Sequence, residues 1–455
     1  MIDRVLELLA QRQYGQLRQL LETLHVADIA ELFSQIEERE LRLRLFRLLP
    51  KDSAAETFSY MDPDIQQDII ESITDVELKR ILDDMFLDDC VDLIEEMPAN
   101  VVQRVLRNSS PENRRLINQY LQYPEDSAGS LMTNEYVCLK RGMTVAEALA
   151  AIRRDGVDKE TIDSCYVVAP DRRLEGEVTL RQLVLSDPAA PIASIMARSV
   201  HACHTHDDEE QIAQAFSRYD LLAMPVVDNE ERLVGIITID DAVDVIQEEN
   251  TEDFEIMAGM APSEDTYLRT PVLTLAKNRI VWLLVLMLSA MVTGALLQHY
   301  EAAIAALPLL VSFIPMLMDT GGNGGSQAST MIIRGMALDE IEPADFLRVW
   351  WKEIRVALLC GGTLSIVNFV RIYLQYNVFA AAPNPDCVRI ATVVSLTLIA
   401  TVCIAKSLGC ILPMLAKKLG LDPALMAAPM ITTVTDACSI LVFFSLALMI
   451  LRDRL

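Results

Sequence analysis

The chain is poor in the groups that mark an enzyme or a nucleic-acid binder. Its nine cysteines include no Cys-x-x-Cys pair, and histidine occurs only five times in 455 residues. Scattered thiols of this kind fit a reducing, cytosolic side and membrane-buried positions. No Gly-x-x-x-x-Gly-Lys-Ser/Thr phosphate cradle and no nucleophile–base constellation occurs, so catalysis is not expected. Positive charge is short: 39 Lys and Arg stand against 65 Asp and Glu, a net of −26. That sign argues against nucleic acid or an anionic membrane surface as partners. The opening MIDRVLELLAQRQY is amphipathic and charged, so no signal peptide is expected.

What is present divides in two. Residues 1–270 carry 54 acidic and 26 basic side chains, a net of −28; residues 271–455 carry 11 and 13, a net of +2. An acidic half suited to attracting cations, or simply to staying soluble, precedes an apolar and near-neutral half. About three domains are expected at this length.

From Ile2 to Tyr123 apolar residues recur at helical spacing, with polar breaks every ten to fifteen residues. Similar short units (Asp28-Ile-Ala-Glu-Leu, Ser53-Ala-Ala-Glu-Thr-Phe, Asp89-Cys-Val-Asp-Leu-Ile) predict stacked helices, an all-α superhelical domain over 1–128. Asp88 and Asp92 fall one turn apart on one helix face. Residues 129–242 contain a repeat, with units at about 129–193 and 194–242. Leu131-Met-Thr returns as Ile195-Met-Ala, and Leu174-Glu-Gly-Glu-Val-Thr179 as Leu233-Val-Gly-Ile-Ile-Thr238. Each copy has a β-like run and a helix pattern, and the pair resembles tandem α/β cystathionine-β-synthase (CBS) domains, which sense adenosine nucleotides or ions. The resemblance places a phosphate- and ribose-binding hydroxyl and carboxylate at Thr238 and Asp241. The first copy departs, with Gln182 at the acidic position and Glu177 in an otherwise apolar strand. His201-Ala-Cys203-His204-Thr-His206 combines transition-metal donors, with a plain polar loop as the alternative.

No glycine or proline interrupts 236–258, so a long acidic helix is predicted, and 243–270 forms an acidic helix and linker between the CBS-like pair and the apolar half. Asp241, Asp244 and Glu248 share one face, and Glu249, Glu252 and Asp253 another; like charges so placed call for a cation, with a solvated linker as the alternative. Five spans are predicted within 271–455: Ile280–Leu297, Ala302 into a glycine stretch, Ile354–Leu374, Val388–Leu415 and Pro423–Leu451. Lys277, Arg279, Arg334, Arg348, Lys352, Arg355, Lys417 and Lys418 collect on one side, making it and the acidic half cytosolic.

Two stretches carry polar groups at membrane depth. Between Pro308 and Arg334 the chain breaks at Pro308 and Pro315, carries Asp319, and continues Gly321-Gly-Asn323-Gly-Gly-Ser326-Gln327. That pattern predicts either a pathway wall of irregular backbone or a helix-packing motif. The last span holds Pro429, Thr432, Thr433, Thr435 and Asp436, the threonines being expected to hold the carboxylate or its water, with Lys406 as the alternative structural partner. Two copies of Asp436 across a two-fold axis would set two charges in one pathway, which suits a hydrated Mg²⁺ ion. Soft ligands are few there, which disfavours copper and zinc.

Helical domain, CBS pair, acidic connecting helix and five spans, with GGNxGxQ and DPA…P…TD, resemble the MgtE family of magnesium channels over essentially the whole chain. The resemblance implies a membrane-embedded homodimer with cytosolic sensing domains and a Mg²⁺ pore lined by the second and fifth spans. Cytosolic Mg²⁺ would pin a connecting "plug" helix and close it. By motif it assigns the pore carboxylate to Asp436 and the plug acids to Asp241, Asp244, Glu249, Glu252 and Asp253. Sensor acids fall at Glu210 and Asp220 of the second CBS copy and at Glu56, Asp88 and Asp92 of the helical domain. Adenosine nucleotide, ATP included, is the implied CBS ligand. Ala428 and Ser326 replace polar residues found in other members. Transport of another divalent ion, Co²⁺ or Mn²⁺, and a non-conducting receptor are the competing expectations.

Overall fold

The computed structural model describes residues 2–263, 267, 270–338, 340–379, 384–426 and 428–452. Two compact units divide at Ile246 and Gln247.

In the first unit, ten short helices run from Ile2 to Tyr120 among the described residues. Two matter for the site: α1 (Lys51–Ser59) and α2 (Leu87–Glu95). Proline, threonine or serine stands before several of these helices, where an amide needs no helical partner or a hydroxyl supplies one. Thr74 and Glu77 form a reciprocal capping box, for example. The apolar stripes meet in one core that continues from Val5 through Val105 into Phe216 and Ala242.

Two three-stranded sheets follow, as the repeat predicts. The first comprises β1 (Val137–Lys140), β2 (Ser164–Val168) and β3 (Leu174–Thr179); the second comprises β4 (Cys203–His204), β5 (Ala223–Val227) and β6 (Leu233–Thr238). In each, the first pair is parallel and the second antiparallel. The repeated Leu-Met-Thr and Ile-Met-Ala segments cross between copies. Thr133 and Ile236 exchange both backbone hydrogen bonds at 2.8 Å, and Glu177 and Ala197 do so at 2.9 Å. The repeated glycines follow from this exchange. A Cβ on Gly176 would stand 2.6 Å from the Ala197 carbonyl oxygen, and one on Gly235 would stand 2.7 Å from Met132 Sδ. Helix α3 (Glu209–Tyr219) lies in the second copy, and α4 (Ile239–Met257) is the long acidic helix expected after it.

The second unit begins within α4. That helix ends in a hook at Gly259, whose φ of +72° favours glycine. A Cβ there would collide with the Trp282 indole. Met260 N–H returns to the Glu255 carbonyl, Glu255 Oε2 accepts from Ser263 N–H at 2.8 Å, and Ala261 N–H donates to the Asn278 carbonyl at 3.0 Å. Five long helices complete the unit: α5 (Val272–His299), α6 (Ile314–Ala337), α7 (Phe346–Tyr373), α8 (Cys387–Lys418) and α9 (Ala428–Ile450). Among the described residues four segments, against the five expected, are long and apolar enough to cross a membrane: α5, the segment Pro343–Val378 containing α7, α8, and Pro429–Ile450 of α9. Helix α6 has the length at 24 residues but is interrupted by polar groups and glycine. Before it the chain breaks at Leu307 into a 3₁₀ turn, Pro308–Phe313, and Pro315 occupies the first turn of α6.

Candidate ion pathway and cytosolic acid cluster

The glycine stretch is regular α-helix rather than irregular backbone, and α6 has two faces. Gly321, Gly322 and Gly325 are buried with Ala328 and Ser329. A Cβ at Gly321 would lie 2.7 Å from both Thr401 Cγ2 and Thr435 Cγ2, one at Gly322 would lie 2.9 Å from Thr432 Cγ2, and one at Gly325 would lie 2.5 Å from Ile431 Cγ2. The glycines therefore let α8 and α9 pack against the α6 backbone, which offsets the roughly 0.5–1 kcal/mol each costs within a helix. On another face Asp319, Asn323, Gln327, Thr330 and Arg334 are all exposed, at the i, i+4, i+8, i+11, i+15 spacing of one stripe. Asn323 Nδ2 donates to Asp319 Oδ1 at 3.1 Å. A polar row at membrane depth requires water or protein beside it. The packing reading accounts for the buried glycine side of this helix, and the polar stripe lies on another side.

Asp436 on α9 is half-buried and within electrostatic reach of Asp319. The structure therefore sets Asp319, held by Asn323, within electrostatic reach of Asp436. The threonines differ from expectation. Thr432 and Thr433 donate to the Pro429 carbonyl at 2.8 and 3.1 Å, because that carbonyl lies where the first turn of α9 leaves it in reach. Lys406 pairs not with Asp436 but with Glu353 of α7, Nζ to Oε2 3.4 Å, both side chains largely buried. The Ala428 side chain lies outside the described residues.

The second constellation belongs to the first unit. Helix α1 supplies Glu56, α2 supplies Asp88, Asp89 and Asp92, the start of α4 supplies Asp240, Asp241 and Asp244, and the first CBS copy supplies Glu160. Burial, with Asp89, Asp241 and Glu160 adding repulsion, holds the Asp88 carboxyl well above the usual range. Burial and Asp241 push Asp89 up to about 6. Asp241 is raised to about 6 by burial, against the Thr238 hydroxyl that donates to it at 2.8 Å. Asp92 keeps an open edge to solvent, yet the surrounding protein and Asp89 raise it. Glu160 is pushed up to about 8 by burial and by Asp240 and Asp241. Asp244 is raised by burial and Asp240. Asp88 Oδ1 and Glu160 Oε2 are buried without a hydrogen-bond partner. Among the described residues no three His, Cys, Asp or Glu side chains converge as direct ligands. Crowded, proton-retaining carboxylates at wider spacing fit a cation that keeps its waters, as Mg²⁺ does.

Glu210 and Asp220 sit at opposite ends of α3, about 15 Å apart along its axis. Glu249, Glu252 and Asp253 lie in the second half of α4, Glu252 exposed. The His-Cys-His-His stretch builds no metal site. His201 stacks on Tyr219 at 4.0 Å, His204 faces Asp207 and Glu231, His206 meets Thr205 and Tyr123, and Cys203 is buried. Alternation along a strand separates those side chains. Asp89, Asp240 and Glu160 were not singled out for this site from sequence. The Asp88-Asp89 doublet was a usable signal, whereas Glu160 sits in a loop without a motif.

Family profiles match this architecture segment by segment: the MgtE intracellular N domain over 24–126, CBS domains over 128–187 and 192–248, and the MgtE divalent cation transporter domain over 314–446. A magnesium transporter MgtE of Thermus thermophilus is 36% identical over 440 residues, covering 96% of this chain and 95% of the relative. The chain belongs to the MgtE family. A Bacillus subtilis MgtE magnesium transporter is 29% identical over 448 residues, 98% of this chain and 96% of that one. The solved cytosolic domain of the Mg²⁺ channel MgtE in complex with ATP is 37% identical, with a TM-score of 0.51 over 54% of this chain and all of that one. MgtE relatives thus span both the acidic half and the helical membrane half of this chain.

Proposed function

We propose that this MgtE chain conducts Mg²⁺ across the cell membrane as a homodimer and is closed by cytosolic Mg²⁺. The observation that carries the reading is the polar stripe of α6, with Asp319 and Asn323 beside Asp436, on helices otherwise fit for lipid. Such a stripe is tolerated if a second copy faces it across an aqueous gap. Carboxylates then provide charge, and the Asn323 amide and helix carbonyls provide oxygen, for an ion that sheds water reluctantly. The relatives' names support Mg²⁺ over Co²⁺ or Mn²⁺.

Closure follows from the acid cluster. Regulatory Mg²⁺ would supply the positive charge that lets Asp88, Asp89, Asp92, Glu160, Asp241 and Asp244 ionise side by side. Glu56 lies at the edge of the same group, and the acids of α3 and of distal α4 would face other surfaces of the dimer. Without the ion the carboxylates repel or hold protons, and α4 is freed; the ion favours the closed state by its differential affinity. The ATP held by the solved relative extends the proposal to an adenosine nucleotide at the CBS pair. The acidic setting of Thr238 and Asp241 would require it to arrive with its own Mg²⁺.

The experiment is Mg²⁺ flux into proteoliposomes carrying the full-length protein. Asp436→Ala is expected to abolish selective flux; undiminished flux would overturn the pathway. Asp241→Asn and Asp244→Asn are expected to leave the pore open when Mg²⁺ is high on the cytosolic side. Preferential Co²⁺ or Mn²⁺ flux in competition would reassign the cargo.

A further inference from the structure

Helix α7 has two faces that differ along its whole length. One is packed on α8. Trp350 Nε1 donates to Ser407 Oγ at 3.2 Å, and Glu353 holds Lys406. A Cβ on Gly361 would stand 3.3 Å from Ile399 Cα, and Ser365 and Ser395 each donate to the other's carbonyl at 3.0 and 3.2 Å. About 160° around the helix, at roughly 100° per residue, runs the second face. It reads Arg348, Lys352 and Arg355, then Leu359, Ile366 and Val370, then Tyr373, all exposed, with exposed Trp351 beside the cations. Among the described residues none of the three cations pairs with a carboxylate. Arg355 Nε donates to the Trp351 carbonyl at 3.4 Å, and Asp345, before the helix, is turned back to the Glu342 N–H at 3.5 Å.

We propose that Arg348, Lys352 and Arg355 bind the phosphate of an anionic phospholipid in the cytosolic leaflet. Length and charge select this partner. From Arg355 to Tyr373 the helix advances about 27 Å, close to the roughly 30 Å of bilayer hydrocarbon, and that interval of the face is apolar. Trp351 and Tyr373 stand at its two ends, where such rings meet headgroups. Arg348 lies about 10 Å beyond Arg355, against roughly 5–8 Å for the headgroup layer, and the flexible cationic arms cover the difference. Topology asks only for cations near the cytosolic end of a span; it does not ask for three on the one line that continues into lipid-facing Leu359 and Ile366. The acid excess that argues against an anionic surface belongs to residues 1–270, whereas residues 271–455 carry a net of +2. Unpaired cations at headgroup depth attract phosphate diesters, and Arg holds them by two parallel bonds.

The test uses full-length protein in neutral detergent without Mg²⁺, since the ion would bridge anionic headgroups. Phosphatidylglycerol is titrated in, with phosphatidylcholine of the same chains as the neutral comparison. Bound lipid is counted by native mass spectrometry while the melting temperature is followed. The parent is expected to retain phosphatidylglycerol over phosphatidylcholine and to melt higher with it. Arg348→Gln, Lys352→Gln and Arg355→Gln should each raise the half-saturating phosphatidylglycerol concentration about fivefold, and the triple variant about a hundredfold. Arg348→Lys with Arg355→Lys keeps the charge and should keep the parent's preference. So should Lys418→Gln, which removes an exposed cation at the end of α8, away from this face. Equal retention of the two lipids, an unchanged titration in the triple variant, or an equal loss in Lys418→Gln would overturn the proposal. Stabilisation by inorganic phosphate in place of the lipid would also overturn it, by making this a site for soluble anions. An experimental map with a second copy of the chain covering this face of α7 would do the same. Should the triple variant fail to fold, the single variants decide.

Discussion

Replacing Asp241 by asparagine tests the cytosolic cluster most sharply, because its two effects have opposite signs. The carboxyl is raised from 3.8 to about 6. That rise corresponds to about 3 kcal/mol of unfavourable charge at neutral pH, at roughly 1.36 kcal/mol per tenfold change in proton affinity. Neighbouring carboxylates share that penalty and solvent screens part of it, leaving about 1–2 kcal/mol. Asparagine keeps an oxygen for the Thr238 hydroxyl, so the local turn survives. Without Mg²⁺ the variant should be more stable than the parent. For a unit the size of Met1–Ile246 the melting point should rise by about 2–8 °C. With Mg²⁺ the order should reverse in gain: the parent is protected strongly, the variant weakly. The assay is a thermal melt of full-length protein in detergent, titrated with Mg²⁺ against chelator. A metal-free variant no more stable than the parent, or equal protection of both, would refute the electrostatic account.

Three further outcomes are expected. Groups with raised folded pKa stabilise fully below about pH 4 and lose that stabilisation as pH climbs through their folded values. With Asp89 and Asp241 near 6 and Glu160 near 8, the metal-free melting point should fall between about pH 4 and 8, most steeply below about pH 6. Mg²⁺ should restore more at the upper end, as melts across that range would show. Glu353→Gln alone should destabilise the membrane unit by up to about 3–5 kcal/mol by stranding Lys406, whereas Glu353→Leu with Lys406→Met should recover most of it in denaturation from detergent. Gly259→Ala forces a left-handed turn costing about 1–2 kcal/mol and drives a methyl into Trp282. It should raise the Mg²⁺ needed for closure without lowering maximal flux in vesicles.

Much of this was legible in the chain because it is written as pattern. The Leu-Met-Thr and Ile-Met-Ala repeat announced two related sheets, and the uninterrupted acidic run announced α4. The exchange of strand edges through Thr133 and Ala197 was not legible, since a repeat fixes similarity but not which copy each segment joins. The glycines of α6 were ambiguous for a physical reason. A missing side chain serves a bend or a close contact equally well, and only Thr401, Thr432 and Ile431 on the other helices decide. Glu160 remained hidden because a carboxylate gains meaning here from long-range neighbours, and Lys406 found Glu353 across helices rather than along one.

The hook at Gly259 has a mechanical consequence. A slack tether between a sensor and a membrane helix can only pull, and only when taut. Here the end of α4 is folded back and bonded to the start of α5 through Ala261 and Asn278, with an indole wedged beneath the turn. Such a joint resists compression and torsion as well as tension, so in the closure proposed above a small tilt of the distal half of α4 would reach the start of α5 without first taking up play.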